Sequence, residues 1–246
     1  MKIIMSELQV TVVSIFLISI LSASTAGAEK SCPQLKVERE ILKNGFHRDL
    51  VTRVHVQGFT EQVDSCRILL NETIPSGLFM DPYQISSLQE HNHVEVIMPS
   101  FVDVEAPEYL SKEHTALVYM KPDEACKHCY ISIVPVHARY HRPSAEAPEV
   151  SILVGSPQLL IRCSKDFPPR GCSNYPLVEA PCGSLTEEAC QWMDVQYTLV
   201  KDEAIVKVPV GIAQHGPVVC IVTIAVSLIC TGMLLRTIYM HKQKSA

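Results

Sequence analysis

The chain has 246 residues, 47% of them hydrophobic, and a formal net charge of −5. That acidic balance excludes the basic footprint that nucleic-acid binding requires and gives no reason to expect adhesion to anionic lipid. Ten cysteines in a chain of this size point to an oxidising compartment and a disulfide-bonded domain rather than a cytosolic enzyme.

The first element is apolar. Lys2 supplies a weak positive region, Leu8 to Leu21 is an almost unbroken hydrophobic run, and Ala26-Gly27-Ala28 fits the small-residue cleavage rule. The run is too short to span comfortably and reads as a signal peptide over residues 1–28, with the mature chain beginning near Glu29. An uncleaved anchor is the alternative.

Residues 29–216 form the expected lumenal β domain. They hold 17 basic and 25 acidic side chains, a net charge of −8. Val51 to Val56 alternates apolar and polar residues, the period of a half-buried strand. Similar runs follow at Val94–Met98, Thr115–Tyr119, Tyr130–Val134, Gln158–Arg162, Val195–Val200 and Ile205–Val210. No 12-residue window between the apolar segments carries a convincing helical period. Short strands punctuated by Gly, Pro, Asn and Asp predict an all-β, sandwich-like fold. Arg142 to Pro148 is the expected loop, at which a split into two subdomains is possible.

The side chains with chemical potential are few. Asn71-Glu72-Thr73 is the only N-glycosylation sequon, and Asn71 is expected to carry a glycan. Asp103-x-Glu105 resembles the acidic pair with which some glycosyltransferases hold a metal. His91-x-His93 and the His137/His141 pair read as solvated or hydrogen-bonded rather than as metal ligands. Cys126-Lys127-His128-Cys129 has C-x-x-C spacing, but it precedes a strand without a βαβ pattern and lacks a second ligand pair, so it reads as structural cystine. No G-x-S-x-G, H-E-x-x-H, Walker loop or G-x-G-x-x-G occurs in the chain, and no catalytic residue, metal or cofactor is assigned. Cys32, Cys66, Cys126, Cys129, Cys163, Cys172, Cys182 and Cys190 are the disulfide candidates. Their pairing is open, because eight cysteines allow about 105 connectivities.

The last elements define the membrane relationship. Pro217 to Leu235 holds no charged residue and is long enough to cross a hydrocarbon core, so residues 217–235 are the expected transmembrane helix. Thr223, Ser227 and Thr231 put small residues on one face of it, either for helix packing or for bonding back to the helix's own carbonyls. Residues 236–246 are the expected cytosolic tail, with Arg236, Lys242 and Lys244 obeying the positive-inside rule. Lys242 and Lys244 also match the K-x-K-x-x pattern by which membrane proteins are retrieved to the endoplasmic reticulum.

Three segments resemble a known family. Gly45-Phe46-His47-Arg48-Asp49-Leu50 is similar to a G-F-H-R-D-L motif, and the segment around His137, Arg139 and Tyr140 is similar to a P-x-H-x-R-Y motif. Val208-Pro209-Val210-Gly211 resembles a membrane-proximal strand. Together they resemble the phosphatidylinositol-glycan biosynthesis class X family, PIG-X, over roughly residues 32–240. The resemblance implies a single-pass accessory subunit of GPI mannosyltransferase I in the endoplasmic-reticulum membrane. Its implied partner is the multi-spanning catalytic subunit, PIG-M, which transfers the first mannose; the accessory subunit stabilises that partner without catalysing. Read without the family, Gly45 makes a turn, Phe46 and Leu50 are core, and Arg48 and Asp49 form a surface pair. A cell-surface receptor or adhesion module is the alternative function.

Overall fold

The computed structural model describes residues 32, 34–57, 66–163, 174–186 and 188–244. The expected signal peptide and its cleavage point, Cys172, and the last two residues lie outside these.

Among the described residues, fourteen strands form the β domain. One sheet has β1 (Gln34–Leu42), β2 (His47–Gln57), β4 (Leu78–Phe79), β7 (Lys121–Pro122), β8 (Cys129–Ala138) and β13 (Tyr197–Glu203). Its order is β13-β1-β2-β8-β4, with β7 also on β8. The second contains β3 (Cys66–Ile74), β5 (Val96–Ile97), β6 (His114–Tyr119), β10 (Gln158–Cys163), β11 (Leu177–Pro181) and β12 (Ala189–Asp194), in the order β11-β12-β10-β3-β6-β5. β9 (Glu149–Leu153) pairs with β14 (Ile205–Pro209). Among the described residues, all strand pairings are antiparallel except β1 with β13. The sandwich-like architecture is therefore the one expected.

Alternation explains why these segments pack face to face. Leu35 and Val37 of β1, Leu50 and Val54 of β2 and Tyr130 and Val134 of β8 meet Ile68 and Leu70 of β3, Val118 of β6 and Ile161 of β10 in one buried cluster. Strands from both sides of residues 142–148 contribute to each of the two six-stranded sheets. A smaller cluster of Leu69, Tyr119, Leu160, Cys190 and Trp192 covers the outer face of the second sheet. There the β11–β12 hairpin folds over it, with Tyr119 Oη donating to Pro181 O and Trp192 Nε1 to Ala180 O.

One ion pair joins the two sheets inside the core. Arg39 on β1 and Glu72 on β3 are 2.9 Å apart, with side-chain exposures of 0% and 2%. Arg39 also donates to Gly155 O. Burial pushes the Glu72 carboxyl upward, and the charge and hydrogen bond of Arg39 oppose it.

Three expectations need correction. Val195–Val200 is not one strand, because β12 ends at Asp194 in the second sheet and β13 begins at Tyr197 in the first. The chain crosses between the sheets at Val195 and Gln196, where the Val195 amide donates to Leu159 O. Val94–Met98 is a strand only at Val96–Ile97. The domain is also not free of helix: α1 spans Pro82–Glu90, capped by Asp81, whose side chain accepts from the Tyr83 amide, and started by a proline at its N-terminus. Nine residues are fewer than one 12-residue window can resolve.

α2 (Gly216–Lys244) is the one helix among the described residues that is long and apolar enough to cross a membrane. It overruns the apolar stretch through Arg236 to Lys244. Thr223 and Thr231 return their hydroxyls to Val219 O and Ser227 O, each at 2.8 Å.

Buried His114 opens β6, its Nε2 accepting from the Met80 amide at 3.4 Å. Burial, followed by the nearby charge of Arg139, lowers its pKa from 6.5 to about 4. The unfolded chain thus takes up this proton as pH falls through 6.5, and the folded chain only near 4. Stability is full above pH 6.5 and declines between 6.5 and 4, by up to about 3 kcal/mol. Denaturant unfolding of the full chain in detergent across this range measures the decline, and His114→Gln removes it.

Candidate functional site

The two sequence motifs lie on neighbouring strands. β2 and β8 are antiparallel, and their register sets His47 opposite His137 and Arg48 opposite Val136. The start of β2 and the end of β8 therefore lie side by side at one end of the first sheet, with β4 alongside β8. Gly45, at φ 87°, turns the chain from β1 into β2, a backbone geometry that favours glycine.

From that turn the side chains fan out. Phe46 packs against Tyr140 with ring centroids 5.4 Å apart. His47 meets His137 edge-on at 4.4 Å, and Phe79 stacks on the other side of His137 at 5.0 Å. The Nε2 of His137 is 2.7 Å from Gln84 Oε1 on α1. Burial and the neighbouring His47 both lower the His137 pKa. Leu50 is core, as its position predicts.

The two arginines are held by backbone carbonyls. Arg48 donates to Gly45 O, Lys43 O and, on β14, Lys207 O. Asp49 pairs instead with Lys43, at 2.7 Å. The expected Arg48–Asp49 pair is not formed, because successive residues on a strand point to opposite faces. Buried Arg139 donates through Nη1 to Asp103 O and Ala106 O, at 2.7 and 2.6 Å, and its guanidinium lies 4.7 Å from the Phe79 ring centre. Tyr140 is 77% exposed.

The remaining sequence candidates divide. Asp103 accepts from the Glu105 and Ala106 amides, so its carboxylate shapes the loop that Arg139 clamps. His141 lies 3.7 Å from Glu108, and His91 and His93 are stacked, with His91 Nδ1 3.0 Å from Ser87 O. Asn71 sits in the middle of β3, between β10 and β6, where its Nδ2 donates to Gln158 Oε1. Lys242 and Lys244 fall in the last turn of α2 by backbone, and their side chains lie outside the described residues. Sequence reasoning missed Phe79, Gln84 and the Arg39–Glu72 pair, all of which need the tertiary pairing to come together.

Disulfides join Cys66 to Cys163, Cys126 to Cys129 and Cys182 to Cys190; Cys32 is disulfide-bonded as well. They differ in what they can contribute. Cys66–Cys163 closes a separation of 97 residues, worth about 4–5 kcal/mol in the chain-entropy account. Cys126–Cys129 closes a separation of 3, well below the about 3 kcal/mol of a 15-residue loop. Thiol labelling of the denatured, unreduced chain is expected to modify Cys220 and Cys230 alone, the cysteines that are free among the described residues; label at Cys66 or Cys182 would show that these bonds do not form.

His55, Cys126 and Cys129 are the one metal-capable trio among the described residues, their ligand atoms lying within 4.8 Å of one another. His55 is the cross-strand neighbour of Cys129, a placement that the sequence spacing concealed.

Comparison with known proteins gives one consistent result. The family model described as PIG-X / PBN1 matches residues 43–239. The chain is 40% identical over 219 residues to the Homo sapiens protein named "GPI alpha-1,4-mannosyltransferase I, stabilizing subunit", covering 89% of this chain and 85% of that one. The proteins of the same name from Rattus norvegicus and Mus musculus are each 38% identical over 216 residues, covering 87% of this chain and 86% and 85% of theirs. No solved structure matches. The matched span contains the β2 turn, the end of β8 and most of α2, and it exceeds half of the chain: the protein belongs to the PIG-X / PBN1 family.

Proposed function

We propose that this chain is the non-catalytic, stabilising subunit of a GPI mannosyltransferase I in the endoplasmic-reticulum membrane. The relatives' names support this reading. One geometric observation carries it further: the arginines of both motifs and His137 are engaged in holding the protein together. Arg48 and Arg139 bind backbone carbonyls, and His137 binds Gln84. Such residues shape a surface; they are not poised over a reacting atom.

In this reading α2 anchors the chain, the β domain lies in the lumen, and the C-terminal tail with Lys242 and Lys244 is cytosolic and serves retrieval. Asn71 carries a glycan. The partner is the multi-spanning catalytic subunit, PIG-M. A multi-spanning enzyme with an unpaired surface is a quality-control substrate, and binding stabilises it by mass action.

Deleting the chain should therefore lower the partner's abundance and, in proportion, mannose addition to the GPI precursor. Mannosyltransferase rate per assembled complex separates holding from chemistry. His47→Ala, Asp103→Ala and Glu105→Ala should leave that rate within about twofold, whereas loss of a general acid–base costs on the order of a hundredfold. A hundredfold loss in a normally assembled complex overturns the reading.

A further inference from the structure

The C-x-x-C hairpin between β7 and β8 combines three features that a purely structural cystine does not need. The first is a neighbouring imidazole. His55 Nδ1 lies 3.1 Å from Cys129 Sγ and 3.8 Å from Cys126 Sγ. The Nε2 of the same ring faces the Glu38 carboxylate at 3.8 Å. These contacts follow from register: His55 sits opposite Cys129, and Glu38 sits opposite Arg53, two residues along on the face His55 shares.

The second feature is asymmetry of access. Cys129 is buried, while Cys126 is partly exposed on the loop. An incoming sulfur can reach one end of the bond and leaves the other inside, beside the imidazole.

The third is that the loop is held without its sulfurs. The Asp123 amide donates to Cys129 O, the Cys126 amide to Asp123 O, and the Val56 amide to His128 O. The Asp123 carboxylate accepts from the Ala125 amide and from Arg53 Nε. Opening the disulfide thus leaves a hydrogen-bonded hairpin in place.

From these observations we propose that Cys126–Cys129 is a thiol–disulfide exchange site, with Cys126 as the attacked sulfur, Cys129 as the leaving thiolate and His55 as its positioning partner. The substrate class is a cysteine thiolate. The incoming thiolate bonds to Cys126 Sγ, the Cys126–Cys129 bond breaks, and its electron pair goes to Cys129 Sγ, where an N–H at His55 Nδ1, 3.1 Å away, donates to the sulfur. A second thiolate then attacks the incoming sulfur. It forms the disulfide of the oxidised substrate and leaves Cys126 as a thiolate, so two thiols lose the two electrons that the chain's cystine gains. Exchange rates rise as the departing thiolate is better stabilised, which is the part His55 plays.

The test uses the full chain in detergent with reduced glutathione as the probe. Thiols are trapped by alkylation at intervals and each disulfide is located by peptide mass. Cys126–Cys129 should open first, about tenfold or more ahead of Cys66–Cys163 and Cys182–Cys190. Each of those two also pairs a buried cysteine with a partly exposed one, so access does not single out Cys126–Cys129, and the deciding variant is His55→Asn, with Glu38→Gln as a second, milder change. His55→Asn should slow opening of Cys126–Cys129 about tenfold while the other two disulfides open at their original rates, an internal control for folding. In Cys129→Ser, an adduct should accumulate on Cys126 in cell membranes. Its mass distinguishes glutathione from a protein thiol as the source. The proposal is overturned if the Cys126–Cys129 bond opens no faster than the others, if His55→Asn leaves its rate unchanged, or if an adduct accumulates on Cys129 in Cys126→Ser rather than on Cys126 in Cys129→Ser.

Discussion

Glu72→Ala lowers the stability of the β domain by about 3–5 kcal/mol, because it strands the Arg39 guanidinium in a dry core. Arg39 and Glu72 are almost entirely inaccessible, so water cannot take over as the partner. The cost is large beside the about 5–15 kcal/mol that separates a typical domain from its unfolded chain. Replacing both residues with apolar ones of similar volume, Arg39→Met with Glu72→Leu, behaves differently. Removing both charges removes the desolvation penalty along with the attraction, so the double variant is expected to be near neutral or more stable. Urea unfolding of the full chain in detergent, with disulfides intact, checks both. A Glu72→Ala loss below about 1 kcal/mol, the range of an exposed pair, would mean that water reaches the site.

Arg139→Ala is the second large effect, and it links stability to assembly. Its guanidinium joins Asp103 O and Ala106 O to the end of β8. Removing it leaves two carbonyls without their donor, costing about 1–3 kcal/mol, and forfeits the contact over Phe79, about 0.5–2 kcal/mol more. The loop at residues 103–106 then loses its attachment to the strand that carries His137 and Tyr140. Co-purification of the catalytic partner should fall with it. Arg139→Lys keeps the charge but not the forked donor and should recover only part of the loss. Full co-purification by Arg139→Ala would show that this end of the sheet is not part of the assembled surface.

The sequence made the strands legible where one face is uniformly apolar. β2, β6, β8 and β10 all fall on alternating runs, since side-chain direction alternates along a strand. β1 alternates too, with Leu35, Val37 and Ile41 turned inward, but Arg39 interrupts the inner face and hides the period. Glu72 does the same to β3 among Ile68, Leu70 and Ile74. Each charge looks misplaced until its partner on the other sheet is known. α1 was announced only by Asp81-Pro82, a cap and a helix-starting proline, because its nine residues are too few to show a period. The two family motifs were visible as motifs. That His47 would face His137, that Arg48 would reach β14 and that His55 would lie beside a cystine more than seventy residues later are facts of register, which local sequence does not encode.

The position of Asn71 has a consequence in time. In the folded domain its strand is zipped on both sides, to Leu117 on β6 and to Gln158 on β10. Its neighbour Glu72 points the other way, into the Arg39 pair. A glycosylating enzyme needs the segment unpaired and bent into its own cleft, a shape that the finished sheet does not offer. Under the proposed lumenal placement, sugar transfer to Asn71 would be a race, won only before β6 and β10 close over β3. Glycan occupancy then acts as a stopwatch on folding: a variant that delays closure, Glu72→Ala foremost, should be glycosylated more completely than the native chain even as it folds less well.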